Sequence, residues 1–134
     1  MSEAEEIQQK IKDYFSQKTE IDTVLLFGSF SKGTFNQYSD VDIAIHSDSE
    51  LDYEKLATIQ TELSLLLHRE IDLADLSNAE GIFLYQIMTT GVKIKIKPTV
   101  FVTYLTKALC FREDFMPVIE RFRKEKIRRF ILQQ

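Results

Sequence analysis

The sequence contains one cysteine and no apolar run long enough to span a membrane. Because Cys110 is alone among 134 residues, an internal disulfide is excluded, and we expect its thiol to be a buried apolar group. No stretch approaches the roughly 18 apolar residues of a spanning helix, and the first residues are acidic where a secretory signal is basic. We therefore expect a cytoplasmic protein with no membrane partner.

The sequence also has no visible repeats, linkers or low-complexity stretches. Its length predicts one domain, and its 44% apolar and 28% charged residues are typical of a globular protein. There is no room for a second substrate-binding domain. A large acceptor would therefore be recognised by the domain's own surface or by an added helix.

Charge is unevenly distributed along the chain. Residues 1–90 carry 6 Lys and Arg against 17 Asp and Glu, a net charge of −11, whereas residues 91–134 carry 11 against 4, a net charge of +7. The chain is thus an acidic body with a basic end. The acidic body argues against a general nucleic-acid binder.

A turn of small residues follows the first apolar strand. The run 24–27 is continuously apolar, as expected of a strand covered on both faces, and Gly28 and Ser29 end it. Backbone N–H groups of such a turn can close around a phosphate, which bulky side chains would keep out. We call residues 28–33 the phosphate turn. Lys32 within it is long enough to reach a triphosphate.

Three aspartates lie in or next to predicted strands. Asp40 and Asp42 are two residues apart, so they project from one face with Cα atoms about 6.5 Å apart. Asp72 repeats the pattern in the next strand. Each motif alone also fits the wet face of a strand or an ordinary turn. If the two strands are neighbours, however, three carboxylates repel one another, and bound Mg²⁺ ions best explain the arrangement.

Apolar periodicity predicts four strands and four longer helices. The strands cover residues 21–27, 40–46, 70–76 and 92–97, and the helices cover residues 3–17, 51–67, 78–89 and 99–132. Ser2 is the expected N-cap of the first helix, Ser77 and Glu80 form a capping box for the third, and Pro117 is expected to kink or split the last. The second helix is predicted to bury Leu56, Ile59, Leu63, Leu66 and Leu67.

Several polar and aromatic residues allow more than one interpretation. Phe35 and Tyr38 could stack on a base or anchor their loop, and His46 is most simply a solvated or capping residue. Arg69 follows a helix whose C-terminal dipole favours cations. The three lysines of the last strand are expected along one side of an exposed edge, where they deter edge-to-edge pairing: Lys93, Lys95 and Lys97.

The basic end of the last helix has apolar residues interleaved with its charges, among them Phe122, Ile127 and Phe130. It could be a solvated face, a docking helix for an acidic partner, an RNA contact or a self-association surface. We favour partner docking or self-association, which makes a homo-oligomer or hetero-oligomer through this helix an expectation. The expected organisation is a core of residues 1–97 with residues 98–134 as a helical extension packed on it.

The spacing of Gly28-Ser29, ten residues, and then Asp40-Val41-Asp42 resembles the signature of the nucleotidyltransferase superfamily that includes DNA polymerase β-like enzymes. In size and layout the chain is similar to the minimal nucleotidyltransferases, specifically the MntA-type antitoxins that pair with HEPN ribonuclease toxins. The resemblance covers residues 21–97. It implies an α/β (α+β) fold of the polymerase β type, with a small mixed sheet flanked by helices and a long C-terminal helix.

The resemblance also implies a function for each motif residue. Asp40, Asp42 and Asp72 would be the catalytic carboxylates and would hold two Mg²⁺ ions, while Gly28, Ser29 and Lys32 would bind the phosphates of ATP. The reaction would transfer AMP to a tyrosine of the partner toxin and neutralise it. Two alternatives stay open: a non-catalytic antitoxin that acts by occlusion, and a small-molecule nucleotidyltransferase.

Overall fold

The computed structural model describes the backbone of residues 2–132. It also describes their side chains, except those of Phe115, Met116, Ile119, Phe122, Ile127 and residues 130–132. The interleaved apolar residues Phe122, Ile127 and Phe130 of the basic end therefore lie outside the described side chains. Within the described stretch no helix is both long and apolar enough to cross a bilayer.

The chain alternates helices and strands. The helices are α1 (Glu3–Ser16), the short α2 (Ser29–Lys32), α3 (Tyr53–Leu67), α4 (Gly81–Thr90) and α5 (Pro98–Leu132). The strands are β1 (Ile21–Phe27), β2 (Val41–Ser47), β3 (Ile71–Asp75) and β4 (Val92–Lys95), and a 3-10 turn covers Leu76–Asn78. The predicted elements are thus present, with small shifts of their ends.

The four strands form one mixed sheet in the order β3-β2-β1-β4. The central strand β1 is antiparallel to both β2 and β4, whereas β2 and β3 are parallel and are connected through α3. A parallel pair needs such a crossover because its strands start at the same edge. The fold class expected from the sequence is confirmed: a small mixed sheet flanked by helices, with a long C-terminal helix.

Each face of the sheet is covered by two helices. Val24 and Leu26 of β1 face one core with α1 and α3, and Leu25 faces a second core with α4 and α5. Burial on both faces explains why β1 reads as a continuous apolar run. The buried helix residues are Ile7, Ile11 and Phe15 of α1, Ile59, Leu63 and Leu67 of α3, and Leu84, Ile87 and Met88 of α4.

Two sequence-based expectations about helix residues are wrong. Leu66 is 40% exposed, because it lies one position off the buried stripe of α3. Cys110 is exposed and is not a core residue. Of the two outcomes expected at Pro117, a split of the last helix does not occur; because Pro117 is exposed, water can bond the carbonyl that proline leaves without a partner. A kink at Pro117 stays a prediction.

The capping box expected at Ser77 does not form. The Ser77 hydroxyl donates to Asp75 Oδ1 at 2.7 Å, and the Ser77 N–H donates to the same oxygen at 3.0 Å. This local bonding replaces the capping geometry and produces the 3-10 turn. Helix α4 consequently begins at Gly81, with Glu80 as N-cap and no side-chain capping bond. Asp75 is the N-cap of this 3-10 turn.

The lysines of β4 do not share one side. The register pairs Leu25 with Lys93 and Val24 with Lys95, so the strand bulges at the residue between the two lysines. A bulge reverses the alternation of side chains. Lys95 therefore reaches the end of α1, where its ammonium donates to the carbonyls of Phe15 (3.0 Å) and Lys18 (3.2 Å).

Candidate active site

The candidate site lies at the sheet edge where β1 ends and β2 and β3 begin. Antiparallel pairing places Phe27, the last residue of β1, opposite Asp42. Parallel pairing in turn places Asp42 opposite Asp72. The topology thus brings the phosphate turn and two of the three predicted carboxylates to adjacent strands.

The three aspartates differ in their surroundings. Asp42 and Asp72 project from the face of the sheet that α4 and α5 cover, as their strand neighbour Ala44 does. Asp42 is half-buried, whereas Asp40 and Asp72 are exposed. Asp40 was expected inside the strand but directly precedes it, since β2 begins at Val41. Asp42 is therefore the least exposed of the three aspartates.

The charge of Asp42 is disfavoured by its environment. Burial raises the pKa of the Asp42 carboxyl most, followed by the negative charges of Asp72 and Asp40 and by a hydrogen bond with the Asp72 side chain, while Lys32 acts in the opposite direction. Burial and like charges both disfavour the ionised form of a carboxyl, and a bound cation would oppose both effects. The crowding expected from the sequence is therefore present between Asp42 and Asp72.

Gly28 lies directly against Asp42. Its φ is +66°, a conformation that side chains rarely adopt, and a Cβ at this position would overlap Asp42 Oδ2. The Gly28 carbonyl accepts from the Lys32 N–H at 3.1 Å and from the Ser31 hydroxyl at 2.9 Å. Gly28 is thus the N-cap of α2 and keeps the phosphate turn in contact with the Asp42 carboxylate.

Ser29 presents a polar atom without a partner. Its hydroxyl oxygen is buried and, within the described part of the chain, lacks any hydrogen bond. Buried polar atoms are nearly always hydrogen-bonded. The Ser29 hydroxyl, which follows the glycine that meets Asp42, is therefore available to bond a ligand. Lys32 is exposed and near enough to Asp42 to lower its pKa. All three predicted phosphate-binding residues are brought to this edge.

The donor set fits a divalent cation next to an anion. Carboxylate oxygens are the ligands that Mg²⁺ prefers, and a hydroxyl, backbone N–H groups and an ammonium are typical partners of phosphate. Burial is the main cause of the raised pKa of Asp42, and repulsion from Asp72 and Asp40 adds to it. A dication would also offset that repulsion. The residues present therefore fit the metal and the nucleotide that the sequence motif implies.

A second cluster of potential metal ligands lies at the other end of β2. Among the described residues, Asp22, His46 and Asp48 have ligand atoms within 4.8 Å of one another, a tighter grouping than the predicted trio has without a cation. His46 Nδ1 lies 2.9 Å from Asp22 Oδ1, and Asp48 lies 3.4 Å from the Lys97 ammonium. Asp22 and His46 are thus paired with each other, and Asp48 is paired with Lys97. His46 is mostly buried, so the expectation of a solvated histidine is wrong.

Arg69 is a site-supporting residue that sequence reasoning missed. Its guanidinium is only 8% exposed and donates to the carbonyls of Asn36 (3.0 Å) and Ser39 (2.9 Å) in the loop that leads into Asp40. It also stacks on the Phe35 ring at 4.5 Å. The sequence assigned Arg69 to the end of a helix, because no local pattern connects it to a loop thirty residues earlier.

The same contacts decide the role of Phe35. Its ring lies between Arg69 and Phe30, whose ring centroid is 4.2 Å away. Phe30 belongs to α2, so the pair ties the loop to the phosphate turn. Phe35 therefore anchors the loop, and Tyr38, which is 86% exposed, does not share this packing.

Replacement of Arg69 by Met is expected to lower catalytic activity. The change leaves two loop carbonyls without their donor, which costs about 1–3 kcal/mol of stability, and loosens the approach to Asp40. We expect about a 10- to 100-fold loss of activity, the range typical of residues that orient metal ligands. The measurement is the rate of nucleotide transfer as a function of Mg²⁺ concentration, in which the half-saturating concentration rises.

The matched control is Glu3→Gln. Glu3 is the exposed acid partner of Arg69, and its loss leaves both loop contacts in place, so we expect an unchanged metal requirement. An unchanged metal requirement in folded Arg69→Met would contradict the positioning role, even if the variant were less stable.

A turn of small residues held against clustered strand aspartates is the geometry of a nucleotidyltransferase site. The sequence pattern of the polymerase β nucleotidyltransferase family matches residues 9–99 of the chain. The chain therefore belongs to this family. The match includes the phosphate turn and all three aspartates.

Similar proteins of known or assigned activity align with about half of the chain. The protein adenylyltransferase MntA of Shewanella oneidensis is 34% identical over 71 residues, which is 53% of this chain and 51% of that protein. A putative protein adenylyltransferase of Methanocaldococcus jannaschii is 32% identical over 73 residues, 54% of this chain and 74% of that protein. The aligned segment thus spans about half the length of the Shewanella relative.

Solved structures resemble the chain over nearly all of its length. A crystal structure of a toxin-antitoxin with AMP-PNP has a TM-score of 0.73 at 22% identity and covers 90% of this chain and 98% of its own. A structure of the tri-AMPylated Shewanella oneidensis HEPN toxin in complex with its MNT antitoxin has a TM-score of 0.70 at 19% identity, with coverages of 92% and 98%. At these identities the likeness shows the fold.

Proposed function

We propose that the chain transfers AMP from ATP to a tyrosine of a HEPN-type ribonuclease toxin and thereby acts as its antitoxin. The observation that carries the proposal is the half-buried Asp42, which lies opposite Asp72 and against Gly28, next in sequence to Ser29, whose buried hydroxyl has no hydrogen bond among the described residues. The names of the similar proteins, adenylyltransferases and a complex of an antitoxin with an AMPylated toxin, support this donor and acceptor.

Asp40, Asp42 and Asp72 are the proposed catalytic and metal-binding residues. These residues would hold Mg²⁺, which when bound would supply positive charge at the nucleotide phosphates and favour deprotonation of the acceptor hydroxyl. Because Asp72 is exposed while Asp42 is half-buried, Asp72 is the carboxylate that an incoming hydroxyl can approach. It positions that hydroxyl and accepts its proton.

The phosphate turn holds the leaving group. Ser29 donates its hydroxyl to a β- or γ-phosphate oxygen, which supplies the partner that the buried atom lacks. Lys32 neutralises charge that develops on pyrophosphate as the bond to the α-phosphorus breaks. Gly28 allows the chain to turn against Asp42, so phosphate and carboxylates share one small volume.

The deciding experiment combines the chain with a HEPN protein encoded next to it. The two proteins are incubated with ATP and Mg²⁺, and the intact mass of the partner is measured. We expect an increase by one or more AMP units, located on a tyrosine by peptide mapping, together with loss of ribonuclease activity. An inhibited partner of unchanged mass would instead support inhibition by occlusion.

Association through α5 and the division at residue 97 remain predictions. The described side chains between positions 112 and 129 are exposed, which is compatible with a surface that a partner covers. Light scattering of the chain with and without residues 112–134, a truncation that keeps the part of α5 that packs on the sheet, tests whether that segment carries self-association. A cytoplasmic location also remains a prediction.

A further inference from the structure

We propose that the base of the donor nucleotide stacks on Phe83, in the cleft between the phosphate turn and α4. This proposal rests on the proposed function and adds the position of the nucleoside, which the sequence motif does not specify. The cleft has a volume of about 320 Å³, and it is lined by Gly28, Ser31 and Lys32 on one side and by Phe83, Gln86 and Ile87 on the other.

The cleft is continuous with the phosphate site. Gly28 contacts Asp42, and Lys32 is near enough to influence that carboxylate, yet both residues also line the cleft. A nucleotide whose phosphates lie on the turn therefore has this cleft within reach of its sugar and base. A larger cleft of about 530 Å³ lies between α1 and α3 and contains no residue of the candidate site.

Phe83 is placed to offer an aromatic surface. The buried stripe of α4 is formed by Leu84, Ile87 and Met88, and Phe83 lies off that stripe with 43% of its surface exposed. Its ring meets Phe27 edge to face, with a centroid distance of 5.4 Å and an interplanar angle of 85°. This contact fixes the ring and leaves surface free, which is the arrangement that base stacking needs.

The polar rim of the cleft suits a base edge. The Thr90 hydroxyl donates to the Gln86 carbonyl at 2.5 Å and is thus engaged with the backbone. The exposed Gln86 side chain has both a donor and an acceptor, which can pair with the donor and acceptor groups of a purine. The cleft therefore combines apolar walls with a polar group, as ligand pockets do.

The aromatic residues of the loop before Asp40 are less suitable. Phe35 is held between Arg69 and Phe30, so stacking on a base would require it to leave both contacts. Tyr38 is 86% exposed and has no neighbouring wall in the cleft described above. The base is thus expected on the α4 side of the phosphate turn.

The test compares ATP with inorganic tripolyphosphate, which has the phosphates but no base. Binding of each to the full chain is measured by calorimetry with Mg²⁺ present. We expect Phe83→Ala and Phe83→Leu to weaken ATP binding about 10-fold, in line with the effect of losing one stacking partner, and to leave tripolyphosphate binding unchanged. The leucine variant keeps an apolar contact with Phe27, so a loss in both variants reports the aromatic face.

The matched control is Ile82→Ala, since Ile82 is the adjacent residue with 44% exposure and lies outside the cleft. It is expected to bind ATP normally. Unchanged ATP affinity in both Phe83 variants, or an equal loss for tripolyphosphate, would overturn the base assignment alone. If the unaltered chain bound neither ligand, the proposed function would be overturned along with it.

Discussion

Asn in place of Asp42 is expected to reduce AMP transfer at least about a thousandfold, which corresponds to about 4 kcal/mol of transition-state stabilisation. Asp42 is the half-buried member of the carboxylate cluster, and its charge interacts with both Asp72 and Asp40. An amide cannot replace that negative charge as a ligand of Mg²⁺. The measurement is the rate of label transfer from ATP to the partner toxin at saturating Mg²⁺.

The same substitution is expected to stabilise the metal-free fold. Because the pKa of Asp42 is raised, its ionised form is disfavoured in the folded chain. Below that pKa, Asp42 is protonated and resembles Asn. As pH rises through it, the unaltered protein loses stability that the variant keeps. The difference in Tm between the two proteins should therefore grow from acidic to neutral pH, and a thermal melt series without divalent ions measures it.

The matched control for Asp42 is Asp48→Asn. Asp48 is exposed and follows the other end of the same strand, and it belongs to the cluster with Asp22 and His46. Full activity is expected in this variant. Loss of transfer in Asp48→Asn with retention in Asp42→Asn would move the metal centre to the opposite end of β2 and refute the site proposed here.

Ala in place of Gly28 is expected to lower activity about 100-fold, through geometry instead of charge. The new Cβ would overlap Asp42 Oδ2, so either the phosphate turn or the carboxylate must move. A displacement of about 1 Å between reacting groups can lower rates about 100-fold. The positive φ of Gly28 adds a backbone cost of about 1–2 kcal/mol. Transfer rates and chemical denaturation of the variant give the two effects separately.

Gly33→Ala tests a positive φ in the same turn without the contact with Asp42. Gly33 has a φ of +70° and a ψ of 16° in the left-handed helical region, whereas Gly28 has a ψ of −130° outside it, and a Cβ at Gly33 meets nothing within 4 Å. Gly33→Ala should therefore lose less stability than Gly28→Ala and keep its activity. Equal losses of activity in the two variants would indicate that the turn conformation matters and the contact with Asp42 does not.

The strands and their carboxylates could be predicted because their signals are local. The period of two along β2 places Asp42 opposite to Val41 and Ile43, which are buried in the structure. The apolar run of β1 likewise indicates a strand covered on both faces, which the two cores confirm. The prediction that Lys93 and Lys95 lie on one side of β4 is wrong because a bulge between them reverses the alternation of side chains. Such a bulge has no clear pattern in the sequence.

Polar side chains near element ends were harder to predict. Ser77 has the spacing of an N-cap, yet Asp75 two residues earlier offers its hydroxyl a nearer acceptor. Arg69 follows a helix, as cations often do, yet its guanidinium bonds carbonyls of a loop 30 and 33 residues away. In both cases several partners are chemically equivalent, and the choice depends on which one the fold brings near.

By itself the sequence determined the types of group in the site, since a small-residue turn after a buried strand and aspartates in strands follow from residue identity and short periods. The tertiary structure alone decided how these groups meet. The structure pairs Asp42 with Asp72 and places Gly28 against Asp42. It leaves the Ser29 hydroxyl without a hydrogen bond among the described residues and forms a cleft beside Phe83. These relations join segments far apart in the chain, so they depend on strand order and helix packing, for which no local pattern exists.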